Sequence, residues 1–171
     1  MIDYGLLTKQ IISLAEVDAH WLPVLSNAAA LLWDALDDIN WVGFYLVDPV
    51  TVAGAGLEPG AHELRTPELR LGPFQGKVAC VRIPFGRGVC GTAAATKTSQ
   101  LVEDVHQFPG HIACDSASNS EVVVPIFKDG QVIGVLDIDS PSVARFTQED
   151  LAGLEQVVKA LESCTNFSDF C

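Results

Sequence analysis

The sequence predicts an α+β fold in which a central antiparallel sheet carries the N- and C-terminal helices packed on one side. Three observations support this. Apolar residues recur at helical spacing over residues 6–18 and 21–37, and Thr147 caps a further helix over about 148–163. Between these stretches the period shortens to two. The only helical segment inside the strand region, about 91–97, spans a couple of turns, far short of a crossover helix. The 171 residues, 49% of them apolar, suit one domain, expected over residues 1–163. A chain of this length buries roughly two-thirds of its unfolded surface, so it needs no metal or disulfide to fold.

The elements follow in order. Leu7, Ile11 and Leu14 mark the first helix. Leu25, Ala28, Leu32 and Leu36 mark the second, with Pro23 early enough to be tolerated. Residues 41–47 alternate, placing Val42, Phe44 and Leu46 on one face and Trp41 and Tyr45 on the other. Asp48-Pro49 ends that strand, and residues 50–66, rich in Gly, Ala and Pro, read as an exposed loop. Strands are expected near 67–72 and 77–83, the second carrying Cys80, and another near 99–104. Residues 105–119 have no periodicity and contain His106, His111 and Cys114. Long loops of this kind often carry function. Strands over 120–127 and 131–139 flank Asp129-Gly130, and Thr147, with Asp150 three residues on, caps the last helix. Residues 164–171 read as a loose tail.

The 120–139 hairpin allows a sharper inference. A two-residue Asp129-Gly130 turn would set Val122 against Asp137 and split the apolar residues between faces. A three-residue Lys128-Asp129-Gly130 loop shifts the register by one and gathers Val122, Val124 and Ile126 on one layer. The apolar pattern selects the second register, with Glu121 opposite Asp137 and Asp139 next along the same face. Like charges paired across strands are destabilising, so a cation, a ligand ammonium or a retained proton must offset them unless the face is solvated. A hard-cation site is disfavoured, because no Asp-rich loop surrounds the three.

Ten basic against 22 acidic side chains give a formal charge of −12, which repels phosphate backbones and anionic lipid and argues against nucleic-acid or membrane-surface partners. The first residues lack a basic segment followed by an apolar core, and no apolar run reaches the length of a membrane span. The expectation is a cytoplasmic protein, a compartment in which clustered cysteines point to redox chemistry or metal rather than structural disulfides. Of the five cysteines, Cys164 and Cys171 fall in the terminal segment and read as incidental. Cys114, in a polar loop, is the best candidate nucleophile. Cys90 lies near a helix N-terminus, where the backbone dipole lowers a thiol pKa. Cys80 taken alone reads as a small hydrophobe. Three cysteines on neighbouring elements suit attack, sulfenic acid and disulfide resolution.

Two other readings are set aside. Zinc held by His106, His111 and Cys114 with Cys80 or Cys90 has none of the paired ligand spacings of structural zinc sites. The Gly86-Arg87-Gly88-Val89-Cys90-Gly91 run matches a dinucleotide fingerprint literally, but the helix after it is too short.

Four segments, WVGFY (41–45), LGPFQGKVACVRIPFGRGVCGTAAA (71–95), HIACDSASNSEVVVP (111–125) and GVLDIDSP (134–141), resemble the free methionine-(R)-sulfoxide reductases, which are built on a GAF domain. The resemblance runs from roughly the first helix to the last. It implies that Cys114 attacks the sulfoxide sulfur and becomes a sulfenic acid. Cys80 or Cys90 then resolves it, Cys80 being the favoured partner, and thioredoxin restores the thiols without a bound cofactor or metal. It implies that Glu121, Asp137 and Asp139 hold the substrate ammonium and assist protonation of the sulfoxide oxygen. Trp41 and Tyr45 would wall the pocket, and the protein would be a homodimer. The rival expectation is a non-catalytic GAF module sensing a small ligand or redox state, which leaves the cysteine trio unexplained.

Overall fold

Asp3 and Thr147 start the two terminal helices with side-chain caps. The computed structural model describes residues 2–48, 67–112 and 115–168. Helix α1 (Tyr4–Val17) is capped by Asp3, whose carboxylate accepts from Leu6 N at 2.8 Å. Helix α2 (Trp21–Ala35) follows, capped by His20 Nδ1 accepting from Leu22 N. The strands are β1 (Trp41–Val47), β2 (Glu68–Gly76), β3 (Arg82–Pro84), β4 (Gln100–Val102), β5 (Ser120–Lys128) and β6 (Gln131–Ser140), with α3 (Gly88–Thr96) between β3 and β4. Helix α4 (Gln148–Cys164) closes the fold with the expected capping box. Thr147 Oγ1 accepts from Asp150 N, and Asp150 Oδ2 accepts from Thr147 N.

The described strands form one antiparallel sheet in the order β3-β2-β1-β6-β5-β4. Its two faces bury different partners. Val42, Phe44, Leu46, Val122, Val124, Leu136 and Ile138 pack against α1, α2 and α4. Each such side chain taken fully from water contributes about 1.5–3 kcal/mol. Tyr4 links the terminal helices: its hydroxyl donates to Asp150 Oδ1 at 2.7 Å, and its ring lies where a Cβ on Gly153 would sit. On the opposite face Trp41, Tyr45, Val123 and Val135 pack beneath α3. That second, smaller core holds the candidate site.

Four expectations need correction. Asp129 and Gly130 both take positive φ (51° and 77°), and Lys128 pairs with Gln131, so the hairpin closes through a two-residue turn. The apolar layer is rescued further along. A β-bulge beside Ile126 and Phe127 inserts Ile133 into β6, and beyond it Val122 faces Ile138 and Glu121 faces Asp139 rather than Asp137. The three carboxylates keep their shared face because the register moved by two residues, which preserves side-chain direction.

Cys80 does not lie in a strand. β2 continues through Gly76, which pairs with Trp41, and β3 is only three residues long, leaving residues 77–81 as a link. The short helix begins at Gly88 rather than near 91, so the Gly-rich run is its first turn. There a Cβ on Gly91 would meet Pro84 O at 2.3 Å, giving that glycine a packing reason. Finally, the start of the terminal segment is pinned rather than loose. Asn166 N donates to Ala19 O at 2.6 Å, and Phe167 is buried in the helix-side core. The 50–66 loop and Cys171 lie outside the described residues.

Candidate active site

β5 and β6 bring Glu121, Asp137 and Asp139 to the face beneath α3. β6 is flanked by β1 and β5, so Asp139 pairs with both Trp41 and Glu121, and Asp137 with both Gly43 and Val123. α3 points its first turn at this patch. Cys90, its third residue, lies with Sγ 3.8 Å from Glu121 Oε1. The resulting cavity is lined by Cys90, His111, Ser118, Glu121, Asp137 and Asp139, among others. His111 Nε2 stands 3.9 Å from Glu121 Oε2.

Burial dominates the electrostatics. Glu121 is pushed well above the ordinary carboxyl range by desolvation and then by the Asp137 and Asp139 charges. Asp139 rises for the same first reason, with Asp137 adding to it and a hydrogen bond from Ser118 opposing it. Asp137 is raised to about 6 by burial, held there by hydrogen bonds from Cys90 and Glu121 that favour its charged form. At neutral pH the cluster therefore retains protons. Cys90 behaves opposite to the helix-dipole expectation. Desolvation, then Asp137 and Glu121, drive its thiol well above the usual range, outweighing a dipole that acts over a single turn. Burial lowers His111, which leaves its imidazole neutral at pH 7.

Two buried side-chain oxygens lack a hydrogen-bond partner among the described residues, Asn40 Oδ1 and Asp137 Oδ1, and the second belongs to a cavity-lining residue. An unsatisfied buried carboxylate oxygen costs about 1–3 kcal/mol or more, so it marks a place where a donor belongs.

Trp41 and Tyr45 share this sheet face, with rings stacked at 5.7 Å, but neither lines the cavity. Trp41 Nε1 donates to Lys77 O and Tyr45 Oη to Cys80 O, both at 3.1 Å, so the pair holds the link that carries Cys80. Cys80 is half-buried and disulfide-bonded, while Cys90 and Cys164 are free thiols. Cys114 lies outside the described residues. The sequence reading missed Asp115 and Ser118, which line the cavity, and Asn40, whose Nδ2 donates to Asp115 Oδ2 and to Ser118 Oγ. Their only signal was membership of, or pairing with, the aperiodic 105–119 loop.

A model of the GAF domain matches residues 20–164. A free methionine-R-sulfoxide reductase of Escherichia coli is 48% identical over 98% of this chain and 91% of its own length. The chain belongs to the free methionine-R-sulfoxide reductase family of GAF domains. The Saccharomyces cerevisiae protein of the same name is 46% identical, over 88% of this chain and 79% of its own. The solved structure of fRMsr of Staphylococcus aureus in complex with substrate superposes with a TM-score of 0.80 at 52% identity, covering 97% of each chain. The family is one of oxidoreductases, and none of the described helices is long and apolar enough to cross a membrane.

Proposed function

We propose that this protein reduces free L-methionine-(R)-sulfoxide to methionine. The observation that carries the reading is the buried carboxylate cavity with its unpartnered Asp137 oxygen. Three acids crowded in low dielectric suit a ligand that brings a cation and accepts a proton. A free amino-acid sulfoxide has both. Its ammonium faces Asp137 and its neighbours, and a protonated carboxyl among Glu121 and Asp139 donates to the sulfoxide oxygen as the sulfur is attacked. Trp41 and Tyr45 support the pocket from behind by holding the Cys80 link.

In this reading the Cys114 thiolate attacks the sulfur, methionine leaves, and the oxygen remains on Cys114 as a sulfenic acid. A thiol of Cys80, or of Cys90, displaces that oxygen as water and closes a disulfide. Thioredoxin, as dithiol, then reduces the disulfide and is itself oxidised, so no bound cofactor is required. The disulfide-bonded state of Cys80, beside a free Cys90 whose thiol is disfavoured as thiolate, supports Cys80 as the first resolving residue.

The test is a single turnover with all thiols reduced. Wild type and Cys80→Ser release one methionine per enzyme, and Cys80→Ser then stalls in thioredoxin-driven cycling. Cys114→Ser releases none. Methionine from Cys114→Ser would move the nucleophile elsewhere, and a wild type inert toward the sulfoxide would leave a ligand-sensing GAF module.

A further inference from the structure

The cavity has a ligand set that neither an ammonium ion nor a proton uses in full. Cys90 Sγ, a Glu121 oxygen and an Asp137 oxygen lie within 4.8 Å of one another, all three residues buried. For tetrahedral zinc, with bonds of about 2.3 Å to sulfur and about 2.0–2.2 Å to oxygen, the sulfur–oxygen edge is about 3.5 Å. The Cys90 Sγ–Glu121 Oε1 separation of 3.8 Å is already close to that edge. A second observation points to a missing partner at the same place: Asp137 Oδ1, buried in the cavity wall, lacks a hydrogen-bond partner among the described residues. A carboxylate-only cluster would suit a hard cation, but a thiolate ligand shifts the preference to a borderline ion.

We propose that Cys90, Glu121 and Asp137 form a binding site for a divalent cation of the zinc class, with the fourth position open to the cavity beside His111. The spacing of these residues, 31 and 16 positions apart along the chain, resembles no zinc motif. The sheet and α3 assemble the site from three elements. Binding replaces the proton of the Cys90 thiol and the proton held between the carboxyls with one metal ion, so the protein releases protons as the metal enters. The site goes beyond the reductase reading and rests on the ligand spacing and the unpartnered Asp137 oxygen.

The test uses the full chain with the Cys80 disulfide intact, titrated with Co2+ by absorption and with Zn2+ by calorimetry. One equivalent of cobalt should give the sulfur-to-metal charge-transfer band of a thiolate complex. Cys90→Ser should abolish that band, and Cys164→Ser should leave it unchanged. Cys90→Ser, Glu121→Gln and Asp137→Asn should each weaken zinc by about 100-fold or more, since loss of a mere outer partner already costs 10–100-fold. The carboxyl variants keep the test decisive should Cys90→Ser fold poorly. A band that survives Cys90→Ser, or zinc affinity indifferent to both carboxyl variants, would overturn the site. Neither readout needs turnover, so failure of the reductase reading would leave this result standing.

Discussion

Replacing Asp137 by Asn should make the protein more stable at alkaline pH while crippling its chemistry. Asp137 is raised from 3.8 to about 6, first of all by burial. The fold thus favours its protonated form. That stability is fully present below about pH 3.8 and is lost as pH rises through about 6. At ~1.4 kcal/mol per unit, the ionised side chain costs the native state about 3 kcal/mol at pH 8. Asparagine removes the charge at nearly constant volume, and its amide can donate to the neighbouring carboxyls. For a chain of this size, ~2–4 °C per kcal/mol translates this into a rise of about 6–12 °C in Tm at pH 8. Near pH 4 the two proteins should melt within a couple of degrees of each other. Asp150 titrates in the opposite sense, since burial raises it but hydrogen bonds from Tyr4 and Thr147 and the Arg145 charge together outweigh that and hold it low, so it affects both proteins equally and only on the acid limb. The measurement is thermal melting from pH 4 to 8 beside single-turnover methionine release, which should fall by about 100-fold or more with the ammonium's buried partner gone. An equal Tm offset at both pH values would show that Asp137 carries no buried charge, and the electrostatic account of the cavity would fall with it.

Gly153→Ala should lower stability by about 1–3 kcal/mol, read by urea denaturation, because the added methyl meets the Tyr4 ring at 2.2 Å and must push the terminal helices apart. Phe167→Ala should cost about 3–5 kcal/mol in the same assay, whereas an incidental tail would lose nothing. N-acetylated methionine-(R)-sulfoxide should be reduced at a small fraction of the rate of the free amino acid, since acetylation removes the ammonium that the carboxylates face; comparable rates on the two would refute that contact.

The two faces of the sheet were legible in the sequence. Val42, Phe44 and Leu46 against Trp41 and Tyr45, and Val122, Val124 and Ile126 against Glu121, follow from period-two alternation, which depends on neither register nor partner. The Thr147–Asp150 capping box was equally readable, because it is satisfied within one turn. Which carboxylates face each other was not. The Asp-Gly pair takes its locally favoured turn, the apolar layer demands the other parity, and a bulge at Ile133 reconciles them, a solution visible only once both strands are paired. Cys90 shows the same division. Its place at a helix start was evident, but the direction of its pKa depended on three carboxylates brought beneath it by β5 and β6. The anchoring of Asn166 likewise required the α1–α2 connection to be in place to receive it. Local spacing determined which residues share a face; long-range pairing decided which of them meet, because distances across strands and beneath helices are set by partners far away in the chain.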